Sequence, residues 1–206
     1  MKVVIVDYGV GNIGSFLNMF KKIGVAAVLS KRKEDIYQAD KLILPGVGAF
    51  DYGMTQLENT GLLEIINTVV LEGETPILGI CLGMQLLMES SEEGQKSGLA
   101  WIKGRVKKFN FANQRILKVP HMGWNVVKPF AYNNLFYGFE GEDIRFYFVH
   151  SYYTACEDQG NALAVTDYGG MFPSAICADH IYGVQFHPEK SHRFGMRLLK
   201  NFVERC

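Results

Sequence analysis

The chain has no excess of charge: 21 Lys and Arg stand against 21 Asp and Glu in 206 residues. Without a global field, it cannot gather nucleic acid or an anionic membrane by charge alone. Long hydrophobic runs are missing too. The longest are strand-sized and broken by Gly, Asp or Pro, well short of the about 20 residues that cross a bilayer. The N-terminus, Met-Lys-Val-Val-Ile-Val-Asp, runs straight into a strand and shows no signal-peptide pattern. Cysteine is scarce, and Cys81, Cys156, Cys177 and Cys206 have no CxxC spacing, which argues against a zinc site and a disulfide scaffold. There is no repeat, low-complexity segment or Pro/Ser-rich linker. The expectation is one domain over residues 1–206, cytoplasmic, needing neither metal nor cofactor.

What is present is strand–helix alternation. Apolar strands are expected at 3–7, 26–29, 41–44 and 75–80. Helix-period stretches follow at 15–23, at 51–70 with a break near Gly61, and from Cys81 through Met88. That order calls for an α/β fold with a mostly parallel central sheet and helices on both faces. After Gly104 the pattern shifts to short β-rich runs at 105–109, 116–119, 144–149, 162–167, 174–178 and 182–186. These suggest a meandering antiparallel extension, closed by a helix at about 194–205.

The chemistry concentrates in two segments. Gly79-Ile-Cys-Leu-Gly83 takes a strand sharply into a helix, with small residues where the turn is tight. This is nucleophile-elbow logic with a thiol, and a helix start favours the thiolate of Cys81. Far along the chain, Pro188 pushes His187 into an extended conformation. Glu189 then projects to the same side as His187 and can accept from one imidazole nitrogen while the other faces Cys81. Of the remaining histidines, His121, His150, His180 and His192, none has a carboxylate positioned by a proline.

Acyl transfer also needs donors for an oxyanion. The Leu82 N–H, just after the nucleophile, is one candidate. A second is the peptide at Val47, where Gly46 and Gly48 permit a close approach of the loop and its reorientation.

These motifs in this order resemble the class I (triad) glutamine amidotransferases across essentially the whole chain. The resembling segments are Pro-Gly-Val-Gly48, Gly-Ile-Cys-Leu-Gly-Met-Gln85 and Gly-Val-Gln-Phe-His-Pro-Glu189. More narrowly, Asp7-Tyr-Gly-Val-Gly-Asn12, Val-Pro-His-Met-Gly-Trp-Asn125 and Tyr-Phe-Val-His-Ser-Tyr152 are similar to glutaminase subunits of imidazole glycerol phosphate synthase. The resemblance implies a flavodoxin-like amidotransferase fold and glutamine as substrate. It implies that Cys81 attacks the side-chain amide, that His187 protonates the departing ammonia, and that water then cleaves a γ-glutamyl thioester. It also implies a heterodimer with a (β/α)8 synthase subunit that receives the ammonia; low activity of the chain alone is expected, because free ammonia release would waste glutamine and the Val47 loop can reorient. Gly48, Gln85 and the backbone at His150, Ser151 and Tyr152 would contact glutamine. Asn12, His121, Met122, Trp124, Asn125 and Lys190 would face the synthase, with residues 120–125 read as a loop.

Two features point to another acceptor. Gly14 replaces the larger residue usual in histidine-pathway members, and the ending Glu-Lys-Ser-His-Arg-Phe-Gly-Met resembles paralogues serving surface-polysaccharide sugars. A cysteine hydrolase of similar architecture would leave Gln85 and the 121–125 loop without a task, and the complete set of catalytic residues argues against a non-catalytic module on this fold.

Overall fold

The computed structural model describes residues 1–111, 117–130, 133–140 and 143–206. The N-terminal half alternates as its periodicity requires. In order come β1 (Val3–Val6), α1 (Ile13–Lys22), β2 (Ala27–Ser30), α2 (Lys33–Tyr37) and β3 (Lys41–Gly46). Then follow α3 (Phe50–Asn59), α4 (Leu63–Asn67), β4 (Ile77–Cys81) and α5 (Leu82–Leu86). The second half holds β5 (Ser90–Ser91), β6 (Gly104–Lys108), β7 (His121–Val126), β8 (Lys128–Pro129), β9 (Arg145–His150) and β10 (Tyr152–Cys156). It ends with β11 (Ala162–Asp167), β12 (Met171–Ala178), β13 (Ile181–Val184) and α6 (His192–Arg205).

The central sheet has the order β2-β1-β3-β4-β13-β12-β11-β8. Pairings from β2 to β13 are parallel and the remaining ones antiparallel. Side-chain alternation divides the core between two faces. Val3 and Ile5 of β1 join the cluster under α1 and α6, where Phe16, Phe20, Leu198 and Phe202 are buried. Val4 and Val6 face Phe50, Leu57, Ile66 and Leu86 on the other side. Phe16, Met19 and Phe20 sit at helical spacing on one stripe of α1, each large side chain contributing about 1.5–3 kcal/mol by burial.

One expectation is extended and two are corrected. β13 ends the antiparallel meander on one side, pairing with β12, and on its other side enters the parallel sheet beside β4, with Gly183 opposite Gly79 and Val184 opposite Ile80. Both strands are buried, and their apolar faces are satisfied only between covered neighbours. Residues 120–125 are largely strand rather than loop: β7 pairs antiparallel with β9, which covers its Gly-interrupted alternation. The strand expected at 116–119 is not formed by its described residues. Residues 117–119 are irregular, and 116 lies outside the described residues. The structure also adds β10, which pairs with β6 and continues from β9 after a single intervening residue.

Candidate active site

Because β4 and β13 run parallel side by side, Cys81 and His187 leave the sheet at the same carboxyl edge. Such edges are where open α/β sheets place ligands. Cys81 has φ 54° and ψ −107°, a backbone conformation costly for a residue with a side chain. Close packing holds the turn. A Cβ on Gly83 would collide with the Leu44 carbonyl oxygen, and one on Gly79 would stand 2.7 Å from the Gly83 carbonyl oxygen.

His187 is 1% exposed, and its Nδ1 lies 2.8 Å from Glu189 Oε1. Burial pulls the imidazole down. The charge and hydrogen-bonding capacity of the Cys81 sulfur, followed by Glu189, more than offset this and push its pKa up to about 10. Nε2 has no well-aligned hydrogen bond among the described residues, so it remains directed at the sulfur without being tied down. The His187 backbone N–H donates to the Tyr147 carbonyl at 2.8 Å, fixing this segment to β9.

The 45–48 loop packs directly against the elbow. Gly46 pairs with Cys81 in register, and a Cβ at Gly46 would stand 2.6 Å from the Gly83 backbone nitrogen. Val47 is 48% exposed at the rim, while Gly48 takes φ 115°. Leu82 opens α5 immediately after the sulfur-bearing residue. Both oxyanion-donor candidates thus belong to segments that adjoin Cys81.

Gln85 is buried, one turn from Cys81 on α5. Its Nε2 donates to the Tyr152 carbonyl at 3.0 Å and to Gln185 Oε1 at 3.1 Å. Gln185, fully buried, directs its own Nε2 at the Cys81 sulfur from 3.7 Å. Sequence reasoning passed over Gln185. The signal was available, because the alternation of an extended segment puts residue 185 on the same side as 187. Tyr8 was also passed over. Its hydroxyl donates to the Pro45 carbonyl beneath the 45–48 loop. Burial first, and then the nearby Cys81 sulfur, hold its proton far above the usual phenol range.

Asn12, Met122, Trp124 and Lys190 are exposed, and Asn125 is half-buried. Trp124 stacks on His192 with ring centroids 5.6 Å apart, and Lys190 Nζ lies 5.5 Å from the Tyr147 ring centroid. His121 departs from the surface expectation: at 2% exposure it is buried, because alternation along β7 turns it inward while Met122 and Trp124 point out. His150 and Tyr152 flank Ser151 where β9 passes into β10, and the Val149 carbonyl oxygen comes within 4.0 Å of the Cys81 sulfur.

The family described as glutamine amidotransferase class I matches residues 4–206. Among curated proteins, the chain is 53% identical to "Imidazole glycerol phosphate synthase subunit HisH 2" of Methanococcus maripaludis, covering 99% of this chain and 100% of that protein. It is 50% identical to the protein of the same name from Pseudomonas aeruginosa, covering 98% of each. The HisH subunit of Bdellovibrio bacteriovorus is 48% identical over 97% of this chain and 98% of its own. Two solved structures share the fold. One, described as a glutamine amidotransferase, gives a TM-score of 0.75 at 20% identity, covering 98% and 97% of the two chains. The other, the glutaminase domain of Trypanosoma brucei CTPS with bound acivicin, gives 0.67 at 15%, covering 100% and 95%.

Proposed function

The chain belongs to the class I glutamine amidotransferases, and from that premise we propose that it is the glutaminase subunit of an imidazole glycerol phosphate synthase. It hydrolyses glutamine to glutamate and ammonia within one amidotransferase domain, residues 1–206, working in the cytoplasm. The observation that carries the pathway is the 53% identity to a HisH protein along its entire length. The chemistry is supported by the strained Cys81 between His187 and the 45–48 loop.

Cys81 is the nucleophile. Its thiolate, with His187 held as imidazolium, adds to the glutamine side-chain carbonyl. The negative oxygen that develops is met by the Leu82 N–H and by the Val47 peptide. Collapse of the adduct expels the amide nitrogen, which takes a proton from His187 Nε2 and leaves as ammonia. A γ-glutamyl thioester remains on Cys81. His187, now neutral, removes a proton from water as the water attacks the thioester, releasing glutamate and restoring the ion pair. Glu189 holds the imidazole in one orientation and stabilises its charge throughout. Gly48 and the Ser151–Tyr152 backbone bind glutamine, and Gln85 shapes that pocket. Ammonia passes to a (β/α)8 synthase subunit docked over Asn12, Met122, Trp124, Asn125 and Lys190.

The test is glutamate release from glutamine by the purified chain, alone and with the synthase subunit. Turnover should be low alone, rise with the partner, and vanish in Cys81→Ala; retained turnover in that variant would sink the reading. Gly14 and the ending Glu189-Lys-Ser-His-Arg-Phe-Gly-Met196 favour one second reading, a paralogue feeding a sugar-modifying synthase. Identifying the protein that co-purifies with the chain separates the two acceptors.

A further inference from the structure

We infer that His121 and His150 are positioning residues: through one fixed pair of tautomers they hold the Gln85–Gln185 amides against the nucleophilic sulfur. The inference rests on the reading above only in taking Cys81 as the nucleophile.

The assignment follows from the two ends of a hydrogen-bonded chain. A carbonyl can only accept, so His150 Nδ1, 2.8 Å from the Tyr152 carbonyl oxygen, must carry a proton. That same oxygen accepts from Gln85 Nε2 at 3.0 Å, which occupies both of its lone pairs. At the other end Asn125 Oδ1 accepts from the Val126 N–H at 2.7 Å, turning Asn125 Nδ2 toward His121 Nε2 at 3.2 Å. An amide nitrogen only donates, so His121 Nε2 is bare and its proton sits on Nδ1. His121 Nδ1 therefore donates to His150 Nε2 across 2.9 Å. A second proton on either ring would bring two donors face to face, at the His121–His150 contact or at Asn125.

Both rings are built to stay neutral. Burial pushes His121 down to about 4. Burial pushes His150 down to about 3 despite its bond to Tyr152, with His121 and His187 adding to the fall. They face one another directly in the β7–β9 register. The His121 ring is stacked between Tyr168, at 4.0 Å, and Phe148, at 4.7 Å. The Tyr152 oxygen is thereby held in place, Gln85 is anchored to it, and Gln85 in turn orients Gln185 so that its remaining donor meets the sulfur. None of these groups touches the reacting atoms except Gln185.

Two measurements on the full chain test this. Nitrogen-15 NMR of the histidine rings should show His121 and His150 as neutral Nδ1–H tautomers throughout about pH 5.5 to 8. An Nε2–H tautomer, or titration near the ordinary value of about 6.5, would overturn the assignment. Alkylation of Cys81 by iodoacetamide, read site by site by mass spectrometry, should slow about tenfold in His150→Ala, the scale of one hydrogen bond to a charged group. His150→Asn, which can still donate to the Tyr152 oxygen, should recover most of that rate. Equal rates in all three proteins would overturn the positioning role. If His150→Ala does not fold, His121→Phe keeps the stacked ring, removes the donor and is read in the same assay. Neither measurement uses glutamine, so failure of the glutaminase reading would leave both results interpretable.

Discussion

Gln185 points its side-chain amide at the sulfur of Cys81 from 3.7 Å, and it does so from a fully buried position. In the proposed mechanism a donor there stabilises negative charge on sulfur both before attack and when the thioester is cleaved. Replacing it with methionine keeps the length of the side chain and removes the donor. Gln185→Met should lower kcat for glutamine hydrolysis about tenfold or more, the measured scale for a hydrogen bond to a charged group. Steady-state kinetics with the synthase partner give the answer, and an unchanged kcat would remove Gln185 from the chemistry.

Cys81, its glycines and the His187–Glu189 pair were legible because each role imposes a local residue pattern. A tight elbow demands small neighbours, and a proline dictates the conformation of the residue before it. The N-terminal strands were legible from uninterrupted β-branched runs. What local pattern cannot carry is pairing between distant segments. Strand 181–184 has the composition of an edge or meander strand, yet it is inserted beside β4, and that insertion is what unites Cys81 with His187. His121 illustrates the same gap: its inward aim depends on β7 pairing with β9, which a Gly-containing stretch with an exposed Trp does not announce.

Gly83 and Gly14 should respond oppositely to alanine. At Gly83 the added methyl would meet the Leu44 backbone carbonyl, which has no freedom to withdraw from a central strand. Gly83→Ala should be poorly folded or inactive. Gly14 lies inside α1 with nothing within 4 Å of the added atom. Gly14→Ala should stabilise the protein by about 0.5–1 kcal/mol through helix propensity. Urea unfolding measures both, and a destabilised Gly14→Ala would contradict the helical assignment there.

Acid stability should carry the signature of the two buried imidazoles. Their folded pKa values, about 4 and about 3, lie below the unfolded value of about 6.5. Between those limits the unfolded chain binds more protons than the folded one, so stability falls as pH falls. The contribution of neutral His121 and His150 is complete above about pH 6.5 and is lost progressively below it. Each adds a slope of up to about 1.4 kcal/mol per pH unit. His121→Phe should flatten the decline in the urea midpoint between about pH 6.5 and 4.5, and an unchanged slope would mean that His121 is not buried as a neutral ring.

Trp124 is half exposed on β7, stacked on His192 and set edge-on to Tyr147, whose carbonyl binds the His187 backbone. An exposed tryptophan linked through Tyr147 to the proposed catalytic histidine suits an anchor for a docked subunit, because it offers a large rigid surface at little entropic cost. Its removal should barely disturb the fold, as surface changes usually stay within about 0.5 kcal/mol. It should weaken association with the synthase subunit by about thirtyfold, corresponding to the roughly 2 kcal/mol of a binding hot spot. Tyr37→Ala supplies the control: this residue is 69% exposed on α2 and lies outside the proposed docking face. Calorimetric titration of the two variants with the synthase should separate them clearly. If Trp124→Ala binds as tightly as Tyr37→Ala, the docking face lies elsewhere, and ammonia would have to leave the Cys81 site by another route.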